Sequence, residues 1–417
     1  MPSTNIPTPA SERLHALDAV RAYALLLGIV LHAALSFVPP GPSRIWFVED
    51  IHPSPLLGIT TFVIHVFRMT TFFLMAGLFA RMSLHRRGAA EFIKDRLLRI
   101  ALPLVVGWPL VFAPMVAVVI WASRFPHGGP VPGAAGWPPA LPSFPLAHLW
   151  FLYVLIELYA AALLLRWVVT TIDADGRWRA AADRLFALIM HSRLAPAILA
   201  LPIMIALSLD PRWIGFIGVR TPDTSLITNG QAWIGFGSAF AVGWLLHRQI
   251  ALLQVLARRW LLTTIAALGL IGLSFALALA LLLASGHLWA APVDLATLRL
   301  AGAIVYALAI WTASFAAIGL ALRFMAGFSR TRRYLADASY WLYLIHMPIV
   351  MALQVAVSQL DWPWSVKYAL ILLVAVPTML ASYHLLVRNT IVGRALNGRR
   401  QAGKQAAMPL LGSSAPT

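Results

Sequence analysis

The chain has 417 residues, 60% of them apolar and only 11% charged, against about 25% charged in an ordinary soluble domain. A mean hydropathy of +0.80 exceeds what one soluble core needs, because such cores stop growing near ~250–300 residues. A soluble globular enzyme and a disordered chain are therefore excluded, and a polytopic membrane protein remains. Cysteine is absent, which removes disulfides, thiolate nucleophiles and Cys-held metals. The net charge of +17 acquires meaning only once it is placed along the chain.

A spanning helix needs roughly 20 mostly apolar residues. Ten such stretches are read in chain order, at about 18–38, 57–80, 100–123, 147–170, 194–210, 229–247, 260–285, 296–322, 338–358 and 365–387. The first is too long for a signal-peptide core and is read as a retained helix. The third carries Pro103, Pro109 and Pro114, and the short fifth carries Pro196 and Pro202; prolines at that depth imply kinks supported by neighbouring helices. With the N-terminus inside, 25 Lys and Arg fall on the inner side and six on the outer, with Arg68 inside a span. That split follows the positive-inside rule and places both termini in the cytoplasm. The charge is thus explained by topology, and no nucleic-acid partner is expected. Segments 39–56 and 124–147 are read as outer loops rich in turn residues. The domain reading is one all-α membrane bundle over 1–390, followed by a basic tail over 391–417 expected to be disordered.

Ionisable groups inside spans cost about 2.5–3.5 kcal/mol on insertion scales and default to functional candidates. In span one Arg21 and His32 are eleven residues apart, about three helical turns plus ~20°, so they share a face with a rise of ~16 Å. Asp18 lies one turn before Arg21 and can pair with it. The plainer alternative is a snorkelling Arg21 and a satisfied interhelical His32. In span two His65 and Arg68 lie one turn apart. Either Arg68 pairs with Glu157, the only acid in the middle of a span, or it faces a cavity and meets an anionic or carbonyl group of a substrate. The basic loop 81–99 is either an amphipathic helix on anionic lipid or a phosphate-binding rim.

Arg21 followed by ten residues and His32 resembles the Arg-x10-His signature of the acyltransferase-3 family of membrane O-acyltransferases. Leu-Asp-Ala-Val-Arg at 17–21 is similar to the start of that signature. Arg-Met-Thr-Thr-Phe-Phe-Leu-Met-Ala-Gly at 68–77 is similar to the family's Phe-Phe-x-x-Ser-Gly block, with Ala76 at the Ser position. Phe-Ile-Lys-Asp-Arg-Leu-Leu-Arg-Ile-Ala-Leu-Pro at 92–103 resembles its basic element before span three. His-Leu-Trp-Phe-Leu at 148–152 and Ala-Ser-Tyr-Trp-Leu-Tyr-Leu-Ile-His-Met-Pro at 338–348 resemble two further blocks. One departure stands out. Where many members carry a Glu-Glu pair, this chain has Leu155 and Ile156, with Glu157 one residue late. Span one and the apolar run after 152 look most like the branch that succinylates osmoregulated periplasmic glucans.

The resemblance implies a membrane-embedded O-acyltransferase. It would move an acyl group, succinyl in the glucan branch, from a cytoplasmic acyl-CoA-type donor to hydroxyls of an extracytoplasmic glycan such as periplasmic glucan. His32 and Arg21 would be catalytic, and Asp18, His65, Arg68, His148, Glu157 and His346 would bind substrate. No bound cofactor or metal is implied; acyl-CoA enters as a substrate, and the protein lies in the bacterial inner membrane. Neutral imidazole suits a base near pH 7, and an acyl-His32 intermediate is a second route. A transporter or flippase is the competing class, since buried His, Arg and Glu also mark proton-coupled transport.

Overall fold

A computed structural model describes residues 9–40, 45–130, 143–211, 213–286 and 294–397. Every regular element among them is helical; the only extended pairings are isolated bridges, Val48 with Gly128 and Ser143 with Ser225. The helices are α1 (Pro9–Ala34), α2 (Pro55–Arg96), α3 (Leu102–Ala122), α4 (Trp150–Ile172), α5 (Arg177–His191), α6 (Ala195–Ser208) and α7 (Gly230–Arg248). There follow α8 (Leu253–Arg258), α9 (Trp260–Ser285), α10 (Leu295–Phe324), α11 (Arg330–Ser358), α12 (Trp364–Ser382) and α13 (Ile391–Asn397). Short polar side chains start several of them. Ser54, Asn229, Asp294 and Ser329 each accept a hydrogen bond from a backbone amide three residues on, which satisfies one of the amides a helix start leaves unpaired.

Seven helical segments are long and apolar enough to cross a membrane, and nine if each of two bent pairs counts as one span. The multi-pass membrane character read from composition therefore holds. The widest difference from the sequence reading is at 55–122. There the expected second and third spans and the basic loop between them form one helical run of 68 residues. At ~1.5 Å per residue that run is over three times a ~30 Å hydrocarbon core. It is broken at Gly88, whose φ of 78° and ψ of 174° leave the helical region; only glycine takes such a backbone without strain. A wide-turn segment at Leu97–Ala101 then leads into α3, where Pro109 and Pro114 sit inside the helix as expected.

The second difference is at 171–210. The apolar helix there, α6, has only 14 residues. The stretch read as a connection forms α5, and the two helices meet at 108°. Asp173 organises the turn by accepting from the backbone amides of Trp178 and Arg179 at 3.1 and 3.0 Å and from the Arg179 side chain at 3.0 Å. Phe186 and Met190, one turn apart, are buried against the bundle, while Trp178, Leu185 and Leu188 stay exposed.

The core is built around α10, of whose most apolar window 72% is buried, against 22% for the peripheral α9. Small residues let helices approach closely here. A side chain on Gly77 would strike the Phe240 carbonyl, and one on Gly243 the Leu74 carbonyl, so α2 and α7 touch backbone to backbone. α1 packs against α2, α10 and α11, which brings its histidine face towards α11. Residues 398–417, most of the expected tail, lie outside the described residues.

Candidate active site

The last turn of α1 has carbonyls with no helical partner, a general property of helix C-termini. Side chains from other helices supply the donors. Gln354 Nε2 of α11 donates to the carbonyls of His32 and Ala33 at 2.9 and 3.2 Å, and Tyr368 of α12 donates to Val30 at 3.1 Å. Gln354 is fully buried, and its Oε1 accepts from the Trp46 indole at 3.0 Å. Trp46 stacks on the His32 ring with planes 10° apart. The segment 45–54 that carries it is firmly seated. Phe47 and Val48 pack with Val118, Met347 and Met351, and Asp50 pairs with the fully buried Lys367 at 2.8 Å. Burial raises the Asp50 carboxyl above its ordinary value, and the Lys367 ammonium opposes that rise.

These anchors hold His32 against His346, with His32 Nδ1 2.9 Å from His346 Nε2. The proton positions follow from the partners. His346 Nδ1 lies 2.7 Å from the Tyr343 carbonyl oxygen, which can only accept, so Nδ1 carries the proton. In a neutral His346, Nε2 then has the lone pair and accepts from His32 Nδ1–H. His32 Nε2 is left as a base. His346 thus plays towards His32 the orienting part that a carboxylate plays in a Ser-His-Asp arrangement.

Further polar groups surround the pair. The His148 ring packs edge-on against His346 with centroids 5.0 Å apart. Its Nε2 lies 3.2 Å from the Leu344 carbonyl and donates to it. Its buried Nδ1 has no partner among the described residues. Tyr343 donates to the His148 carbonyl at 2.7 Å. Arg68 and His65 are both electrostatic neighbours of His32. Arg68 packs onto α1 at Gly28, where a side chain would strike its Nη1; Gly28 is one turn from His32, so Arg68 sits at that turn. Arg68 makes no ion pair among the described residues, and its buried Nε has no partner.

Of the residues singled out in the sequence, His32, His65, Arg68, His148 and His346 therefore converge. Glu157 does not pair with Arg68. Its Oε2 accepts from Thr228 at 2.6 Å, on the connection before α7, because α4 turns it towards that segment. Arg21 and Asp18 pair at 3.3 Å, with the Arg21 guanidinium over the Phe79 ring. They lie about three turns from His32 along α1, beside the basic segment in which Asp95 binds Arg87, Arg96 and Arg99 at 3.0–3.3 Å. A chain of aromatic groups on α11 links the two levels. Tyr340 donates to the Arg99 carbonyl at 2.6 Å, stacks on Tyr343, and Tyr343 leads to His346. Trp46, Tyr343, Gln354 and Gly28 were not singled out in the sequence. Gln354 carried a usable signal, a lone amide in an otherwise apolar stretch of span nine. The other three carried none.

Membrane-length helices closing around imidazoles from α1, α2, α11 and the turn that leads into α4 define a multi-pass membrane protein with a buried histidine site. The chain belongs to the acyltransferase domain family, whose family model matches residues 14–384. It is similar to glucans biosynthesis protein C of Escherichia coli (strain SMS-3-5 / SECEC), 31% identical over 150 residues, which is 36% of this chain and 38% of the relative. It is also similar to glucans biosynthesis protein C of Salmonella paratyphi B (strain ATCC BAA-1250 / SPB7) and of Salmonella heidelberg (strain SL476). Each is 30% identical over 155 residues, 37% of this chain and 38% of the relative. The matches thus span 38% of the length of these curated relatives. No solved structure matches the chain.

Proposed function

We propose that this chain moves an acyl group from a cytoplasmic acyl-CoA-type donor to hydroxyls of an extracytoplasmic glycan. By likeness to proteins named for glucan biosynthesis, a periplasmic glucan is the acceptor and succinyl the group. The observation that carries the reading is the His32–His346–Tyr343 relay, which leaves a lone pair on His32 Nε2 within the Arg21-x10-His32 arrangement. In the proposed step His32 Nε2 takes the proton of an acceptor hydroxyl while that oxygen attacks the thioester carbonyl carbon. The tetrahedral intermediate collapses, the carbon–sulfur bond breaks, and the leaving thiolate recovers the proton from His32. In the alternative route His32 Nε2 attacks the thioester carbonyl, the carbon–sulfur bond breaks to release the thiolate, and the acceptor hydroxyl then attacks the acyl-imidazolium, breaking the carbon–nitrogen bond and giving its proton to the thiolate. Arg68, with no carboxylate partner among the described residues, is assigned to stabilise the developing oxyanion or to meet the succinyl carboxylate. Arg21, at the basic end, holds the donor phosphates, and Asp18 fixes its position. His65, His148 and Glu157 are assigned to substrate contact.

The reading includes a topology. The 68-residue run counts as two spans joined by a basic surface helix. With one span for each bent pair the bundle then has ten, with both termini cytoplasmic and the chain in the inner membrane. The test uses the purified full chain in proteoliposomes with acyl-CoA and a glucan acceptor. Wild type is expected to release free CoA together with acylated glucan. His32→Ala is expected to lose about 10²–10⁴ of that rate at unchanged protein yield. Release of no CoA by wild type, with movement of donor or glycan across the bilayer instead, would favour a transporter and overturn the proposal.

A further inference from the structure

A cavity of about 740 Å³ lies between α4 and α7, apart from the histidine site, and α5 borders it. Its length is apolar, and small side chains, Ala161, Ala162, Gly237 and Ala241, hollow out its walls. Its charged residues gather at one end. Arg81 of α2, Arg166 of α4 and Arg248 of α7 line it there, each near the end of a stretch that runs in the same direction through the bundle.

Two of the four arginines on this rim are already neutralised. Arg248 pairs with Asp183, its Nε at 2.7 Å, and Arg179 pairs with Asp173 at 3.0 Å. Arg81 and Arg166 have no carboxylate partner among the described residues. The Arg81 guanidinium lies over the Trp244 ring, and its buried Nε has no hydrogen-bond partner. The rim thus keeps two uncompensated positive charges above an apolar slot. α5 adds an independent observation. It stands at 108° to α6 and leaves Trp178, Leu185 and Leu188 exposed, the arrangement of a helix lying in a membrane interface with apolar side chains in the lipid. The charged rim is therefore at headgroup level, with the slot extending into the hydrocarbon.

We propose that this cavity is the seat of a resident anionic phospholipid, its phosphate held by Arg81 and Arg166 and one acyl chain filling the slot between α4 and α7. Neither the phosphate nor the chain reaches His32, so the lipid is a bound structural partner and neither donor nor acceptor. It fills the gap beside the direct α4–α7 contacts, Trp150 on Phe236 and Tyr159 against Phe240, and it ties α5 to the bundle. A zwitterionic lipid fits the slot equally well but leaves the two guanidinium charges without a net counter-charge.

The test is lipid retention after purification. The full chain is exchanged into nanodiscs of phosphatidylcholine with a minor share of phosphatidylglycerol, extracted in mild detergent, and weighed by native mass spectrometry. Wild type is expected to carry one phosphatidylglycerol. Arg81→Gln with Arg166→Gln is expected to lower its retention about thirtyfold, from two lost charge contacts. Gly237→Leu, whose side chain would enter the slot beside Leu158, is expected to displace the lipid with both arginines in place. His32→Ala is expected to retain it fully, which separates this proposal from the catalytic one. Equal retention of phosphatidylcholine and phosphatidylglycerol, equal retention by wild type and the double variant, or displacement of the lipid by acyl-CoA would overturn it.

Discussion

The chemistry of a single nitrogen depends here on a chain of partners. A Tyr343 carbonyl fixes the proton on His346 Nδ1, His346 Nε2 fixes the proton on His32 Nδ1, and Nε2 of His32 is left basic. His346 acts through His32, so it is a positioning residue, and its loss should have a distinct signature. His346→Ala is expected to lower kcat by about 10²-fold, within the span of a general-base effect, and to leave the donor KM unchanged, because His32 can then rotate and switch tautomer. His346→Gln offers a carbonyl oxygen to the same Nδ1–H and is expected to recover part of the rate. Steady-state kinetics on the two variants, with protein yield measured alongside, check this. Equal losses in both, with falling yield, would mark His346 as a packing residue only.

At the level of elements, the site exists because backbones touch. α2 can bring His65 and Arg68 to α1 only while its other face lies directly on α7, and two glycines allow that contact. Gly243 faces the Leu74 carbonyl and Gly77 the Phe240 carbonyl. The obstructing atoms are backbone, so they cannot swing aside as a side-chain end does. Gly243→Ala is therefore expected to force the helices apart at a cost of about 1–3 kcal/mol. Thermal unfolding in detergent should show a lower midpoint, and activity should fall with abundance. Gly28 is the contrasting case, since a methyl there meets only the mobile end of Arg68. Much of this level was legible in the sequence. The apolar runs at 18–38, 260–285, 296–322, 338–358 and 365–387 match α1, α9, α10, α11 and α12 closely, because long apolar periods leave little choice. The second and third runs were read apart by the helical basic stretch between them; what the sequence did not show is that the helix runs on through that stretch with its break at Gly88. α5 was missed because Arg177, Arg179, Asp183 and Arg184 interrupt its apolar positions, so it does not read as a span. The convergence of His32, His148 and His346 was not legible either, since α11 could have met α1 at any rotation; the tie at Gln354 sets it.

For the molecule as a whole, charge placement carries a stronger statement than span length does. Length and apolarity alone support seven to nine crossings, because a 68-residue helix is counted once and two bent pairs are ambiguous. The proposed topology rests on the charges where length leaves the count open. Arg81, Arg86, Arg87, Lys94, Arg96 and Arg99 all fall between the two halves of that long run, and such a basic stretch is retained on the cytoplasmic side. In the proposed topology its two apolar halves then both cross, entering and returning. The bent pair α5 with α6 follows the same logic. Arg177, Arg179, Arg184 and Arg193 lie on α5 and at the bend, which in the proposed topology keeps α5 at the inner interface and leaves α6, with its prolines, to cross. The expected outcome is an even number of crossings with both ends inside. Reporter fusions after residues 135 and 404 check it. The fusion at 135 should be active only outside the cytoplasm, because it follows α3. The fusion at 404 should be active only inside. External activity at 404 alone would require an odd count, whereas external activity at 404 together with internal activity at 135 would turn the whole bundle over, and the site with it. Arg21 would face the acceptor side and His32 the cytoplasmic half, an arrangement in which an acyl-CoA donor meets the histidines without crossing the bundle.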